Sequence, residues 1–414
     1  MSETTVSIPP FKITAAALRK TTEHLARELA QPSDSPPDWS EFEWAIARAA
    51  ATLQGTSMLL ANILPWTGPS LWQSFLDRQR EQSLLRHERI GALLAKIDDV
   101  TRRAQISCVG LKGTALSALS IYAPGERPMG DVDLLVRAEN LESIDIALRS
   151  LDYRHAYTSR RHTVYAPRLN AELQGFGEHV QNPLKIEVHT AVAESLPVSK
   201  VDITSRLHPA PGHPGLNAYP DFAALMLHLL LHAAGNMRAH ALRQIQLHDI
   251  AMLSRHLDAD DWASLLARPH TDECRWWLFT PLALTERYYA DSIPRDVLIG
   301  AHASCPRLLR TATDRYRLTD VSWSNLRIPA FPGIAWSRTP LEVLRLVRGR
   351  VLPDRIALAE LERSRRVLPQ LDSVPWYGIP HASRIVRWLF SRPPRVQTIL
   401  SVRAALGGAG TSSD

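Results

Sequence analysis

A chain of 414 residues is longer than one hydrophobic core usually supports and predicts two or three packed units. Hydrophobic residues make up 45% and charged residues 22%, an ordinary balance for a soluble globular protein. The formal charge of +6, carried mostly by arginine, admits a phosphate-bearing partner but is too small to argue for nucleic acid. Cys108, Cys274 and Cys305 are scattered, with no CxxC pair, so neither a disulfide framework nor a structural zinc site is expected. That fits a cytoplasmic protein, as does an N-terminus without the basic start and apolar stretch of a signal peptide.

In chain order, residues 1–104 read as an N-terminal helical region. Helices are expected over 15–29, 39–64 and 70–103. The first is closed by the Pro-rich stretch 32–37 and the second by Pro65, and the third carries Trp72, Phe75, Ile90, Leu93 and Ile97 at helical spacing. Residues 105–215 change pattern. Short β-rich runs at 106–111, 132–136, 153–157, 163–166 and 184–189 enclose helical candidates at 114–122 and 141–151, a compact α/β unit. A helical domain over 216–310 follows, with Asp221 as the cap of a helix to about 234 and further helices at 238–257, 263–266, 276–289 and 295–303. The apolar run 222–234 is interrupted by His228 and His232 and falls short of the roughly 20 residues that span a bilayer, so no membrane is expected. Residues 311–406 are rich in Arg, Pro and Trp, with helical candidates at 340–347 and 354–366, and 407–414 read as a disordered tail.

The chemistry concentrates in Gly130-Asp-Val-Asp-Leu-Leu-Val136. Residues i and i+2 of a strand share a face, so Asp131 and Asp133 project together. Two adjacent carboxylates repel each other near a core, and a divalent cation removes that cost. Mg2+ (or Mn2+), which takes a few carboxylate oxygens plus substrate phosphates, suits the pair. Phosphoryl transfer commonly wants a third carboxylate, and Glu187 in Lys185-Ile-Glu-Val-His189 alternates with Ile186 and Val188 on another short strand. Upstream, Gly110-Leu-Lys-Gly113 enters a helix at Thr114. Free amides there attract phosphate, Gly113 lets it approach, and Lys112 and Arg127 add positive charge.

Leu111-Lys-Gly-Thr-Ala-Leu116, Tyr122, Arg127-Pro-Met-Gly-Asp-Val-Asp-Leu-Leu-Val136, Leu151-Asp-Tyr153 and Ile186-Glu-Val-His189 together resemble the bacterial uncharacterised nucleotidyltransferase family. That family belongs to the polymerase-β-like superfamily and is often found in modified-peptide gene clusters. The resemblance implies an α+β fold, a small mixed-sheet nucleotidyltransferase core between helical regions, with Asp131, Asp133 and Glu187 as the metal-binding triad. It also implies that Gly110 to Thr114 replaces the usual Gly-Ser loop, so that Lys112, Gly113, Thr114, Arg127 and Gly130 are the nucleotide-binding candidates. The helical part is similar too, through Leu227-His-Leu-Leu-Leu-His232 and Arg243-Gln-Ile-Gln-Leu-His-Asp249. Arg243 and Asp249 are expected to tie the helical unit to the core or to contact nucleotide. His228 and His232, at i and i+4, lack the Glu of a His-Glu-x-x-His motif and read as hydrogen-bonded helix histidines. His155, His162, His179 and His189 are expected around the presumed cleft, and His189, two residues after Glu187 and on its face, is an accessory candidate for orienting a phosphate or carboxylate.

The expected reaction is Mg2+-dependent transfer of a nucleoside monophosphate from an NTP, with ATP first in line, to an acceptor such as a peptide or small metabolite. Two alternatives compete with it. A glycosyltransferase using Asp-x-Asp would carry a nucleotide-binding α/β region ahead of that motif, where this chain is helical. A non-catalytic binding partner or toxin–antitoxin component would have less reason to keep three carboxylates.

Overall fold

The computed structural model describes residues 9–159, 161–169, 176–210, 212–267, 275–353, 358–359, 379–388 and 390–407. Four helices lead: α1 (Phe11–Ala30), α2 (Glu41–Gln54), α3 (Ser57–Ile63) and α4 (Ser70–Arg103). Ser40 starts α2 through a capping box with Glu43, which satisfies two otherwise orphaned N–H groups. The one helix expected over 39–64 is two, because Gly55 adopts φ of 69° and turns the chain. A Cβ there would stand 2.6 Å from the Arg243 guanidinium, so glycine is required twice over.

The α/β unit alternates as expected: β1 (Ser107–Gly110), α5 (Gly113–Ala118), β2 (Asp131–Val136), α6 (Leu141–Arg149), β3 (Tyr153–Thr158), β4 (Thr163–Pro167) and β5 (Lys185–His189). Three short strands go beyond the sequence expectation, β6 (Ala193–Ser195), β7 (Lys200–Asp202) and β8 (Gly215–Asn217). The main sheet has the order β3-β4-β5-β2-β1-β8, while β6 and β7 form a separate hairpin. It is mixed: β2 pairs parallel with β5 and antiparallel with β1, and β8 closes the far edge parallel to β1. The fold class is α+β, as the motifs imply.

Strand alternation divides the sheet into two faces. Val132, Leu134 and Val136 join Ile186 and Val188 against α4 and α6, in a core that includes Ile90, Ile97, Ile144 and Leu148. The opposite face carries Asp131, Asp133, Glu187 and His189, beside Leu135 and Val109, which join the larger core. That core is built around α7 (Phe222–Arg238) and α8 (Gln244–Ser254), with the N-terminal helices and the later helices packed around them. Asp221 caps α7 by accepting from the Ala224 amide, as its sequence position predicts. The helix expected over 238–257 is present but shorter at both ends, Gln244–Ser254. α7 runs on to Arg238, His240 turns at φ of 55°, and α8 begins at Gln244. A closing helix at Val396–Gly407, absent from the sequence expectation, packs on α2, where Arg48 donates to the Ala405 carbonyl at 2.8 Å. Cys274, residues 408–414 and nearly all of the helix expected over 354–366 lie outside the described residues. No described helix is long and apolar enough to cross a membrane.

Candidate active site

The parallel register of β2 and β5 sets Asp131 opposite Lys185 and Asp133 opposite Glu187. Three carboxylates therefore meet on one face and line a cleft of about 350 Å³ between the sheet and α7 and α8. Lys112, Gly113, Arg127, Gly130, Arg243 and Asp249 also border this cleft. Sequence positions spread over more than a hundred residues are thus gathered at one place.

The three acids occupy different electrostatic settings. Asp133 is buried at 6% exposure and its Oδ1 takes two bonds of 2.9 Å, one from Lys112 Nζ and one with His189 Nε2. Burial alone would raise its pKa. Lys112 and His189 overcome that and hold the carboxyl well below the usual carboxylate range. Asp131 is solvent-accessible at the mouth, yet partial desolvation in the cleft and the neighbouring Asp133 raise its carboxyl. Glu187 is half-buried, and desolvation together with Asp131 and Asp133 pushes it up to about 7. Like charges crowded on one face, with two of three pKa values raised, are the condition a cation relieves.

Lys112 is held by backbone geometry that its side chain would not choose. It turns the chain between β1 and α5 at φ of 49°, a left-handed value that costs roughly 1–3 kcal/mol in a non-glycine residue. The Leu111 amide donates to the Asp133 carbonyl at 2.9 Å before the turn, and the Lys112 amide reaches Tyr219 Oη at 3.4 Å within it. The strained turn aims the ammonium at the acids, and Asp133 and Asp131 keep it charged against the cost of burial.

Arg127 is engaged within the protein. Its guanidinium grips Asp249 of α8 in a bidentate pair, which Tyr122 Oη joins by donating to Asp249 Oδ1 at 2.8 Å. Gly113 makes room for this pair, since a Cβ there would meet Arg127 Nη1 at 2.5 Å and Met129 Sδ at 2.9 Å. Arg243 does not pair with Asp249. It donates to the Leu53 carbonyl at 3.0 Å and ties α8 to the end of α2. Asp249 does link the helical unit to the core, through Arg127. Thr114 is buried beside Gly110, and Gly130 has open space where a Cβ would lie.

His228 and His232 behave as helix histidines. His228 Nδ1 bonds Tyr219 Oη at 2.7 Å and His232 Nε2 meets Asn236 at 3.2 Å, with burial pushing His228 down to about 3. One neighbour of the acids, Arg86, stands outside the sequence expectation, whereas His162 is expected near the cleft. Arg86 of α4 meets Glu178 at 2.9 Å and donates to the carbonyls of Met129, His179 and Asn182, so it clamps the turns that lead into β2 and β5. Its signal lies in α4: with Gln79, Ser83 and Ile90 it continues the buried stripe of that helix, an arginine in an apolar register. His162, in the turn between β3 and β4, lies 3.5 Å from Glu187 Oε2, and desolvation and His189 hold it down to about 4.

Acids on one face of a mixed sheet, beside a lysine at a strand-to-helix turn, make up the candidate site. A family model described as an uncharacterised nucleotidyltransferase matches residues 37–290, and the chain belongs to that family. Its activity class is therefore nucleotidyl transfer, with a nucleoside triphosphate as substrate. No curated protein and no solved structure matches the chain.

Proposed function

We propose that the protein transfers a nucleoside monophosphate from an NTP, ATP being the first to test, to a hydroxyl or phosphate of a peptide or small metabolite. The observation that carries this reading is the register that sets Asp133 opposite Glu187, with Asp131 on the same face. An acceptor oxygen attacks the α-phosphorus, the α–β phosphoanhydride bond breaks, pyrophosphate leaves, and the acceptor proton passes to Glu187. With its pKa near 7, Glu187 is matched to that proton transfer.

Asp131, Asp133 and Glu187 offer the hard oxygen ligands that Mg2+ or Mn2+ takes, and their mutual repulsion gives them reason to bind one. When bound, the cation supplies charge neutralisation for the carboxylates and phosphates. Lys112 and the Gly113 amide take the triphosphate, and Asp249 holds Arg127 so that the Pro128–Met129–Gly130 turn presents Asp131. The cleft lies within the size range of small-molecule sites.

The test is incubation with each α-labelled NTP, Mg2+ and cell extract, followed by mass spectrometry of whatever gains a nucleotide. Pyrophosphate release that needs an NTP, a divalent cation and Asp133 supports the reading. Transfer that persists undiminished in Asp133→Asn overturns it.

A further inference from the structure

Adjoining the main cleft, and sharing Lys112, Glu187 and His232 with it, lies a second, smaller cavity of about 120 Å³, also bordered by Arg161, His162, His189 and Glu194. Three ligating atoms converge there, all within 4.8 Å of one another: one nitrogen each from His162 and His189 and one Glu187 oxygen. His162 Nδ1 stands 3.5 Å and His189 Nε2 3.9 Å from Glu187 Oε2. A tetrahedral ion with bonds of about 2.1 Å spaces its ligand atoms about 3.4 Å apart, so the first distance already matches and the second closes with a small ring movement. His162 Nδ1 is buried and makes no hydrogen bond, an omission that costs free energy unless the atom has another task. Paired strands hold the set in place, since Glu187 and His189 belong to β5 and His162 to the turn that brings β4 beside it.

We propose that His162, Glu187 and His189 form a binding site for one divalent transition cation of the Zn2+ and Co2+ class, separate from the oxygen pair Asp131 and Asp133. Two imidazoles and one carboxylate select such cations, whereas Mg2+ prefers oxygen alone. Three protein ligands leave a position open for water or a substrate oxygen. The site is coupled to its neighbour through His189, whose Nε2 also bonds Asp133 Oδ1 at 2.9 Å. Ligation uses the Nε2 lone pair, so the ring proton resides on Nδ1 and the bond to Asp133 is surrendered. Asp133 then keeps Lys112 alone. The inference stands on ligand geometry and not on the transfer reaction, although Glu187 belongs to both sets.

Full-length protein without a histidine tag is titrated with Co2+ and followed by visible d–d absorption, with Zn2+ as competitor. One Co2+ per chain, displaced by Zn2+, is expected. His162→Ala and His162→Gln should each weaken Co2+ binding about 10-fold or more, while Asp131→Asn keeps the band. Circular dichroism checks the fold of each variant, and His162→Gln preserves the size and polarity of the turn. Absence of the band in the wild type, or unchanged affinity in both His162 variants, overturns the site. So does a band lost in Asp131→Asn but kept in the His162 variants, which would assign the ion to the oxygen pair. None of these readouts depends on nucleotidyl transfer, so a failure of that reaction leaves them intact.

Discussion

Arg127 and Asp249 are joined by two hydrogen bonds of 2.7 Å, Nε to Oδ1 and Nη2 to Oδ2, across 122 residues of sequence. Both side chains are nearly shielded from water, and the desolvation of so buried a pair is offset only while both partners remain. The guanidinium sits at the head of the turn that delivers Asp131, so the pair connects the position of α8 to the position of a proposed metal ligand. Asp249→Ala should therefore lower the urea midpoint by an amount equivalent to about 3–5 kcal/mol, the usual cost of stranding a buried charge. It should also reduce nucleotidyl transfer at temperatures where the variant remains folded. An unchanged midpoint would mean that the pair contributes nothing to holding the two units together.

Gly113→Ala attacks the same pair from the other side. The new methyl would meet Arg127 Nη1 at 2.5 Å and the Met129 side chain at 2.9 Å, and the guanidinium must swing off Asp249 to admit it. Alone, the substitution should destabilise by about 1–3 kcal/mol. In the Asp249→Ala background it should cost much less, because the bond it breaks is already gone. A double-mutant cycle on urea midpoints reads that coupling directly, and simple additivity would show that Gly113 serves something other than this contact.

The period-two alternation of a strand lies within a few consecutive residues, which is why Asp131, Asp133 and Glu187 are legible from the chain alone. The same holds for the caps, since Asp221 and the amide it accepts from are three residues apart. The partners of Arg127 and Arg243 are illegible for the opposite reason. No local pattern distinguishes one basic residue from the other, and only the tertiary packing decides that one meets Asp249 and the other two carbonyls of α2. Edge strand β8 has three residues and takes its conformation from β1, so no local pattern marks it. Gly55 does carry a signal, but apolar residues on both sides continue the helical period and conceal the turn. His162 is legible only as one of several histidines near the cleft: nothing in Arg161-His-Thr-Val164 sets it against Glu187 in particular, and the β4–β5 pairing does.

Buried neutral histidines give the stability a definite pH dependence. His228 titrates near 6.5 when unfolded, and burial, with Lys112 adding to it, lowers it to about 3 in the fold. A histidine whose folded pKa is depressed binds protons more readily when unfolded, so its contribution is fully present above about pH 6.5 and is lost as pH falls toward 3. Between about pH 7 and pH 5 this one group should remove about 2 kcal/mol. Urea midpoints across that range should fall with acid, and His228→Gln should flatten the slope. A profile of equal steepness in the variant would assign the acid sensitivity to other groups, among them His248, which burial pushes down to about 4.

Removing charge from the carboxylates tests the site more sharply than removing their bulk. Asp133→Asn keeps the shape of the side chain and strands Lys112, which now lies 2.9 Å from a neutral amide and is free to turn toward solvent in the cleft. Loss of a preorganised electrostatic group commonly lowers turnover by about 10²-fold or more, and that is the expected fall in pyrophosphate release. Glu187→Gln should be comparably severe but differ in kind. It removes the proposed proton acceptor along with a ligand, so the loss should fall on kcat while Mg2+-dependent stabilisation by NTP is reduced only in part. Asp133→Asn should abolish that stabilisation. Thermal shifts with NTP and Mg2+, measured beside turnover for the two variants, separate the roles. Equal loss of both readouts in both variants would show that the three acids act as one metal cage, with no separate base.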